Sequence, residues 1–417
     1  MMTTITKSIS LFAMLVFLSG CWDQVELEGR AYVVGLGMDK IDDETNQIRI
    51  TFLISNPEFG SLAEGGGGDE PPQEIISFVA NDMESAKDVA NMVVAKQVTY
   101  DLLRVLFISE EFAKDPEFIR WMYDLTKSKE IRRDIRLVVS KEKASTFIQN
   151  INPLLESRPH EYFEKIFERL NATGIAPTSD LLKFFRITES DADLFLSIYG
   201  TSLQKNNSGS VQNPLNITAG EFQYEGMTSP IQFAGAAVFK EGKMIGTITT
   251  RETRLAYLLN PTLPIKDILT AYPDPFSEDH KLAIRVEKQG KVKTKMDLKK
   301  EVPSIDVSLP LAVEVLSNHS MVDYPKEAEK REQLKKHLDD EITKVFEDFI
   351  KKTQEEYGTE PFGWSLEARK HFRTLPEFEK FDWMKTYPNM DINVDISIRF
   401  SNFGRQGEVP KLEELRD

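Results

Sequence analysis

The first twenty-one residues, MMTTITKSISLFAMLVFLSGC, limit what the rest of the chain can fold into. Lys7 and the amino terminus supply positive charge, Ile9 to Leu18 an apolar stretch, and Ser19-Gly20 a small-residue exit. Roughly ten apolar residues are too few for a helix across about 30 Å of hydrocarbon, so residues 1–20 read as an export signal that is removed. The run ends in Cys21, the only cysteine of the 417 residues. An exported chain with one cysteine has no intrachain disulfide to staple it. Its stability has to come from buried apolar surface, and at this length from two or three domains rather than one. The composition allows that: 41% of residues are hydrophobic and 29% charged, which fits folded domains and excludes a disordered chain or a multi-span membrane protein.

Leu18-Ser19-Gly20-Cys21 is similar to a bacterial lipobox: an aliphatic residue, two small residues and the cysteine. The chemistry needs a thiol to accept diacylglycerol and small neighbours where the peptidase grips the bond. Cys21 is therefore expected to become an S-diacylglycerol, N-acyl cysteine. At about 0.8 kcal/mol per buried CH2, one acyl chain holds a protein to a membrane marginally and two hold it stably. Charge does not compete with this reading. A formal net charge of −15 makes the body a poor ligand for nucleic acid, and a poor one for anionic lipid by electrostatics alone.

After the tether, YVVGLGMD, IRITFLIS and IISFVAND read as strands, rich in β-branched and aromatic residues and bounded by turn chemistry. The acidic Gly- and Pro-rich stretch between the last two reads as a flexible connector rather than a partner-binding loop. MESAKDVANMVVAKQV has helical spacing, LRVLFIS is a buried-strand run, DPEFIRWMYDLTKS is helical, and IRLVVS is a further strand. Helical stretches including HEYFEKIFERL and TSDLLKFFRI follow. Apolar content drops at TSLQKNNSGSVQNPLN, residues 201–216, which reads as a linker. Beyond it IQFAGAAVFKEGKMIGTITT predicts a hairpin turning at Glu241-Gly242-Lys243, and RETRLAYLLN a short helix. KLAIRVEK, KVKTKMDL, SIDVSLPLAVEVLS and NVDISIRFS predict strands. Between the last two, the segment 326–357 carries one apolar stripe, Leu334, Leu338, Ile342, Val345, Phe346 and Phe349, with acid-first pairs four apart. It predicts a long helix laid on its own domain's sheet. The expected fold class is α+β, with mixed sheets flanked by helices. The expected domains are an N-terminal α/β domain, 21–200, and a C-terminal α+β domain, 217–404, possibly divisible in two.

Motifs for catalysis, cofactors or metals start and then fail. Gly35-Leu-Gly37 has Lys40 where a dinucleotide fingerprint needs its third glycine. The four glycines at 65–68 run into Asp69-Glu70, which would repel a phosphate. His160-Glu161 begins like a zinc-protease helix, but Glu164 stands where the second histidine belongs. With five histidines and one cysteine, no zinc site is expected, and no cofactor either. A role carried by surfaces rather than an active site follows.

The segment Cys21 to Lys40 resembles the start of the mature C subunits of spore germinant receptors, the Ger(x)C lipoprotein family. The likeness rests on Trp22-Asp23, Glu26-Leu27 and Gly37-Met38-Asp39-Lys40. It continues through Ser109-Glu110-Glu111-Phe112-Ala113, Glu130-Ile131-Arg132, Gly235 to Lys240, Lys243 to Gly246, Glu252-Thr253-Arg254 and Pro361-Phe362-Gly363. Tyr100-Asp101 replaces an expected Gly-His pair, and Glu360 an expected Asp. The resemblance implies no catalytic residues. It implies a lipoprotein on the outer face of the spore inner membrane, partnered by two membrane-embedded subunits, A and B, and acting in germination. A substrate-binding lipoprotein of a transporter would share the lipobox and is the alternative.

Overall fold

The runs that read as strands form two sheets in a computed structural model, which describes residues 29–41, 47–56, 71, 73–204 and 215–404. The signal 1–20, Cys21, the motif residues Trp22 to Leu27, and most of the expected linker lie outside the described residues. In the first sheet, β1 (Arg30–Lys40), β2 (Ile48–Ser55) and β3 (Gln73–Ala80) make an antiparallel meander. β4 (Gln97–Thr99) and β5 (Val105–Ser109) pair with β1 in parallel; β6 (Arg136–Ser140) and β7 (Phe195–Thr201) extend the parallel run. Parallel strands need crossovers, and helices supply them: α1 (Met83–Asn91), α2 (Glu110–Ala113), α3 (Phe118–Leu125), α4 (Ala144–Gln149), α5 (Pro159–Ala172) and α6 (Leu181–Ser190).

Helices cover both faces, which is why β5 is buried along its whole length. Leu106 and Ile108 join one core with Ala86, Phe118, Met122 and Phe184; Val105 and Phe107 join another with Phe147, Phe163 and Phe167. The helical pattern drawn through MESAKDVANMVVAKQV stops at Asn91, and Gln97–Thr99 become β4 instead. The side chain of Asn91 accepts a hydrogen bond from Val98 N at 2.9 Å and holds that turn.

The expected break at 201–216 does not end the sheet. β8 (Gln232–Lys240) lies antiparallel to β7, with Ile198 opposite Ala236, and β9 (Lys243–Ile248) closes the edge. The β7–β8 pair gives β7 a hydrogen-bonded partner along the edge that it would otherwise leave open. The β8–β9 turn sits at Glu241 and Gly242, both with positive φ (51° and 79°), as a two-residue primed hairpin requires.

The second sheet follows helix α7 (Thr250–Leu259) and holds β10 (Ile268–Asp274), β11 (Ser277–Lys288), β12 (Lys293–Asp297), β13 (Ser304–Asn318) and β14 (Asp391–Asn402). β13 is its centre: β11 and β12 pair antiparallel with its two halves, and β14 runs parallel along the other side. Ile305, Val307, Leu309, Leu311, Val313 and Val315 are all buried, as their alternation predicts. Helix α8 (Ala328–Lys352) lies on this sheet through Leu334, Leu338, Ile342, Phe346 and Phe349, in the same core. The long helix therefore serves its own domain.

Candidate functional site

No described helix is long and apolar enough to cross a membrane, and no group of three or more metal-ligating side chains gathers among the described residues. Cys21, the sequence's one site residue, lies outside the described residues. What the structure does explain is the motif residues beyond the tether. Gly37 lies close under α4: a Cβ there would meet the Ile148 methyl at 2.7 Å and the Cβ atoms of Ala144 and Thr51 at 3.3 Å. Asp39, 1% exposed, accepts from Ala144 N at 2.6 Å and Ser145 N at 3.0 Å, so a strand residue caps the first turn of α4. Lys40 pairs with Asp115 at 2.6 Å.

Glu130 accepts from Lys87 at 2.7 Å and from Tyr100 N at 2.9 Å. Burial opposes its charge, and these hydrogen bonds hold its carboxyl below the usual range all the same. Tyr100, which replaces the expected glycine, fills the core and donates to Met83 O at 2.8 Å. Asp101 meets Arg30 at the surface at 2.8 Å.

Helix α7 joins the two sheets, and the triplet Glu252-Thr253-Arg254 is its working part. Thr249 and Glu252 form a capping box: Thr249 N donates to Glu252 Oε2 at 2.8 Å, and Glu252 N to Thr249 Oγ1 at 3.2 Å. Glu252 also pairs with Lys352 of α8 at 2.8 Å. Thr253 donates back to Thr249 O. Arg254 donates through Nε to Thr173 O and through Nη1 to Leu269 O, both at 3.1 Å, tying the end of α5 to β10. At the other end, Lys288 Nζ donates to Tyr257 O and Asn260 O at 3.0 and 2.9 Å. Burial pushes its pKa down to about 8. Thr249→Ala should cost about 1 kcal/mol of stability, the ordinary worth of a helix cap, read as a lower urea midpoint at unchanged slope.

A groove of about 820 Å³ opens between α5 and the segment leading into β8. Pro159 starts α5 and fixes its first φ, and Phe163, Phe167 and Leu170 point to the core. Tyr162, Ile166 and Arg169, on the flanking face, form one wall. The opposite wall is held by its own polar groups. Gly220 N donates to Gln232 Oε1 at 3.0 Å, Gln232 Nε2 to Phe222 O at 2.6 Å, and Tyr224 OH to Ser229 O at 2.8 Å. Leu154, Leu155 and Met227 at the mouth are 57%, 104% and 92% exposed. Arg254 lines the groove while only 6% exposed, and burial lowers its pKa. The sequence contained no sign of this groove, because its walls come from segments separated by tens of residues.

The second joint between the halves is a pair of buried carboxyls. Glu360, fully buried, accepts from Phe362 N, from Gly363 N at 2.9 Å and from Ser365 N at 3.0 Å. Its backbone carbonyl accepts from Leu194 N at 2.9 Å, and Thr359 donates to Ala192 O. Asp193 faces it, 6% exposed, with Oδ1 unpartnered. Gly363 takes φ 77°, which lets the Pro361-Phe362-Gly363 turn wrap the carboxylate and leaves Trp364 to donate to Leu259 O at 3.4 Å.

Known proteins are similar over nearly the whole chain. Residues 23–201 match the family model described as the spore germination protein N-terminal domain, and residues 234–404 match spore germination B3/GerAC like, C-terminal. The chain is 21% identical over 409 residues to Spore germination protein B3 of Bacillus subtilis, covering 98% of this chain and 100% of that one. It is 26% identical to Spore germination protein KC of the same organism over 148 residues, 35% of this chain and 36% of KC. The crystal structure of the GerBC protein has a similar fold, with a TM-score of 0.51 and 15% identity over 91% of this chain and 100% of that one.

Proposed function

Because the chain belongs to the GerAC family of spore germination proteins, a family of non-catalytic receptor subunits, we propose that it is the lipid-anchored C subunit of a nutrient germinant receptor. In this reading Cys21 carries the acyl chains on the outer face of the spore inner membrane. The folded body assembles there with membrane-embedded A and B subunits and takes part in the germination response. The observation that carries the reading is the extent of the likeness: the family match begins at residue 23, two positions after the only cysteine, and resumes to residue 404.

Cys21→Ala tests it. The variant should fold with an unchanged unfolding midpoint, move from the membrane fraction of spores to the soluble one by more than tenfold, and support germination poorly. Membrane retention with normal germination would remove the anchor from the reading. Co-purification of two membrane-embedded chains with the native protein from spore membranes tests the assembly, and recovery of the C subunit alone would count against it.

A further inference from the structure

Anchoring and assembly leave the groove beside α5 without a task. Its volume of about 820 Å³ falls in the range of small-molecule sites. Two properties decide what would fit. Its interior is aliphatic and aromatic, with Ile166, Leu170, Ile175, Ile217, Ile231 and Phe233, while Gln232 and Tyr224 already spend their hydrogen bonds on the groove's own wall. The one charge sunk into that lining is Arg254. Its Nε and Nη1 go to the carbonyls of Thr173 and Leu269, and Nη2 makes no hydrogen bond among the described residues. Asp267, the acid that acts on it, is held by Arg285 at 3.0 Å. A guanidinium this buried with carbonyl partners alone is short of an anion. On the rim, Lys165 is taken by Glu156 and Glu161, whereas Arg169 forms no ion pair among the described residues.

We propose that this groove binds a single-chain anionic amphiphile, with its head at Arg254 and its unbranched tail running out along Ile166 and Leu170 to the exposed mouth at Leu154, Leu155 and Met227. An anion supplies what the guanidinium lacks, and a tail is the only part of a ligand that the already paired walls would not have to desolvate against.

The test is calorimetric titration of the full chain in nanodiscs of zwitterionic lipid, corrected for empty nanodiscs, with dodecanoate, decanoate and dodecanol. One saturable site is expected for dodecanoate, with dodecanol at least tenfold weaker. Each methylene lost from the tail should weaken binding about fourfold. Arg254→Met should bring carboxylate and alcohol to parity. Because Arg254 also ties α5 to β10, Ile166→Trp serves as the second variant: it obstructs the path of the tail along α5, leaves Arg254 in place, and should weaken both ligands at least tenfold. No saturable binding above empty nanodiscs, or equal binding of dodecanoate and dodecanol to the unmodified chain, overturns the proposal. Displacement of dodecanoate when phosphatidylglycerol replaces the zwitterionic lipid would assign the site to a bilayer lipid and overturn the single-chain assignment.

Discussion

Asp39→Ala should destabilise the protein by about 3 kcal/mol, the loss of two charge-assisted hydrogen bonds together with two buried N–H donors left without a partner. The magnitude follows from the location of the donors. Ala144 N and Ser145 N open helix α4, whose Lys143 cap position supplies no side-chain acceptor, and both side chains of that turn are buried. With the carboxylate gone, neither water nor another side chain reaches those groups at no cost. The helix they start carries Phe147 and Ile148 into the core beneath α5, so the loss spreads to the wall of the groove. Asp39→Asn keeps the shape and one acceptor and should recover roughly half of the loss. Urea unfolding followed by tryptophan fluorescence reads both. A change within about 0.5 kcal/mol for Asp39→Ala, the level of an ordinary surface site, would mean that Asp39 is a solvated turn residue and not the cap.

Asp39 also marks how far the sequence could be read. The strand containing it, the next strand and the central alternating β13 were legible from local pattern, because each is long, β-rich and bounded by turn residues. So was the stripe of α8: five of its six selected residues are buried, Val345 is half-buried, and Ile350 joins them unselected. Strand β7, FLSIYGT, was not legible: Ser197 and Gly200 interrupt its apolar pattern, and it is buried on both faces, so no alternation marks it. The pairing of β7 with β8 is what carries the first sheet past residue 216. The motif residues themselves were visible as a family likeness, but their tasks were not. Asp39 acts across 105 positions, Arg254 across 81, and Thr359 across 167. Partners at that separation are set by topology, which no local periodicity encodes.

Asp193 and Glu360 are the sharpest case of such a partnership, and they make stability depend on pH. Burial pushes the Asp193 carboxyl up to about 6. Burial, and then the neighbouring Asp193 charge, raise Glu360 well above the ordinary carboxylate range. Unfolded, both return to about 4. A carboxyl whose pKa is higher in the folded state binds its proton more tightly there, so its contribution is fully present below pH 4. That contribution is lost as pH rises through 6 and beyond. The pair is held by the protons it retains, and Asp193 lines a small cavity together with Lys183 and Arg186. Asp193 alone should cost the protein about 2 kcal/mol between pH 4 and pH 8. Asp193→Asn removes the like-charge neighbour, keeps the shape, and can donate to Glu360. Glu360 is then free to ionise against three N–H groups. The variant should therefore be the more stable protein at pH 8 by about 2 kcal/mol and show a flatter decline than the parent, measured as urea midpoints from pH 4 to 8. Parallel pH curves for parent and variant would show that the two carboxyls do not share their protonation. The consequence for the molecule is local: this joint and Arg254 are side-chain ties between the two sheets, and of the two only the carboxyl joint loosens as pH rises above neutral.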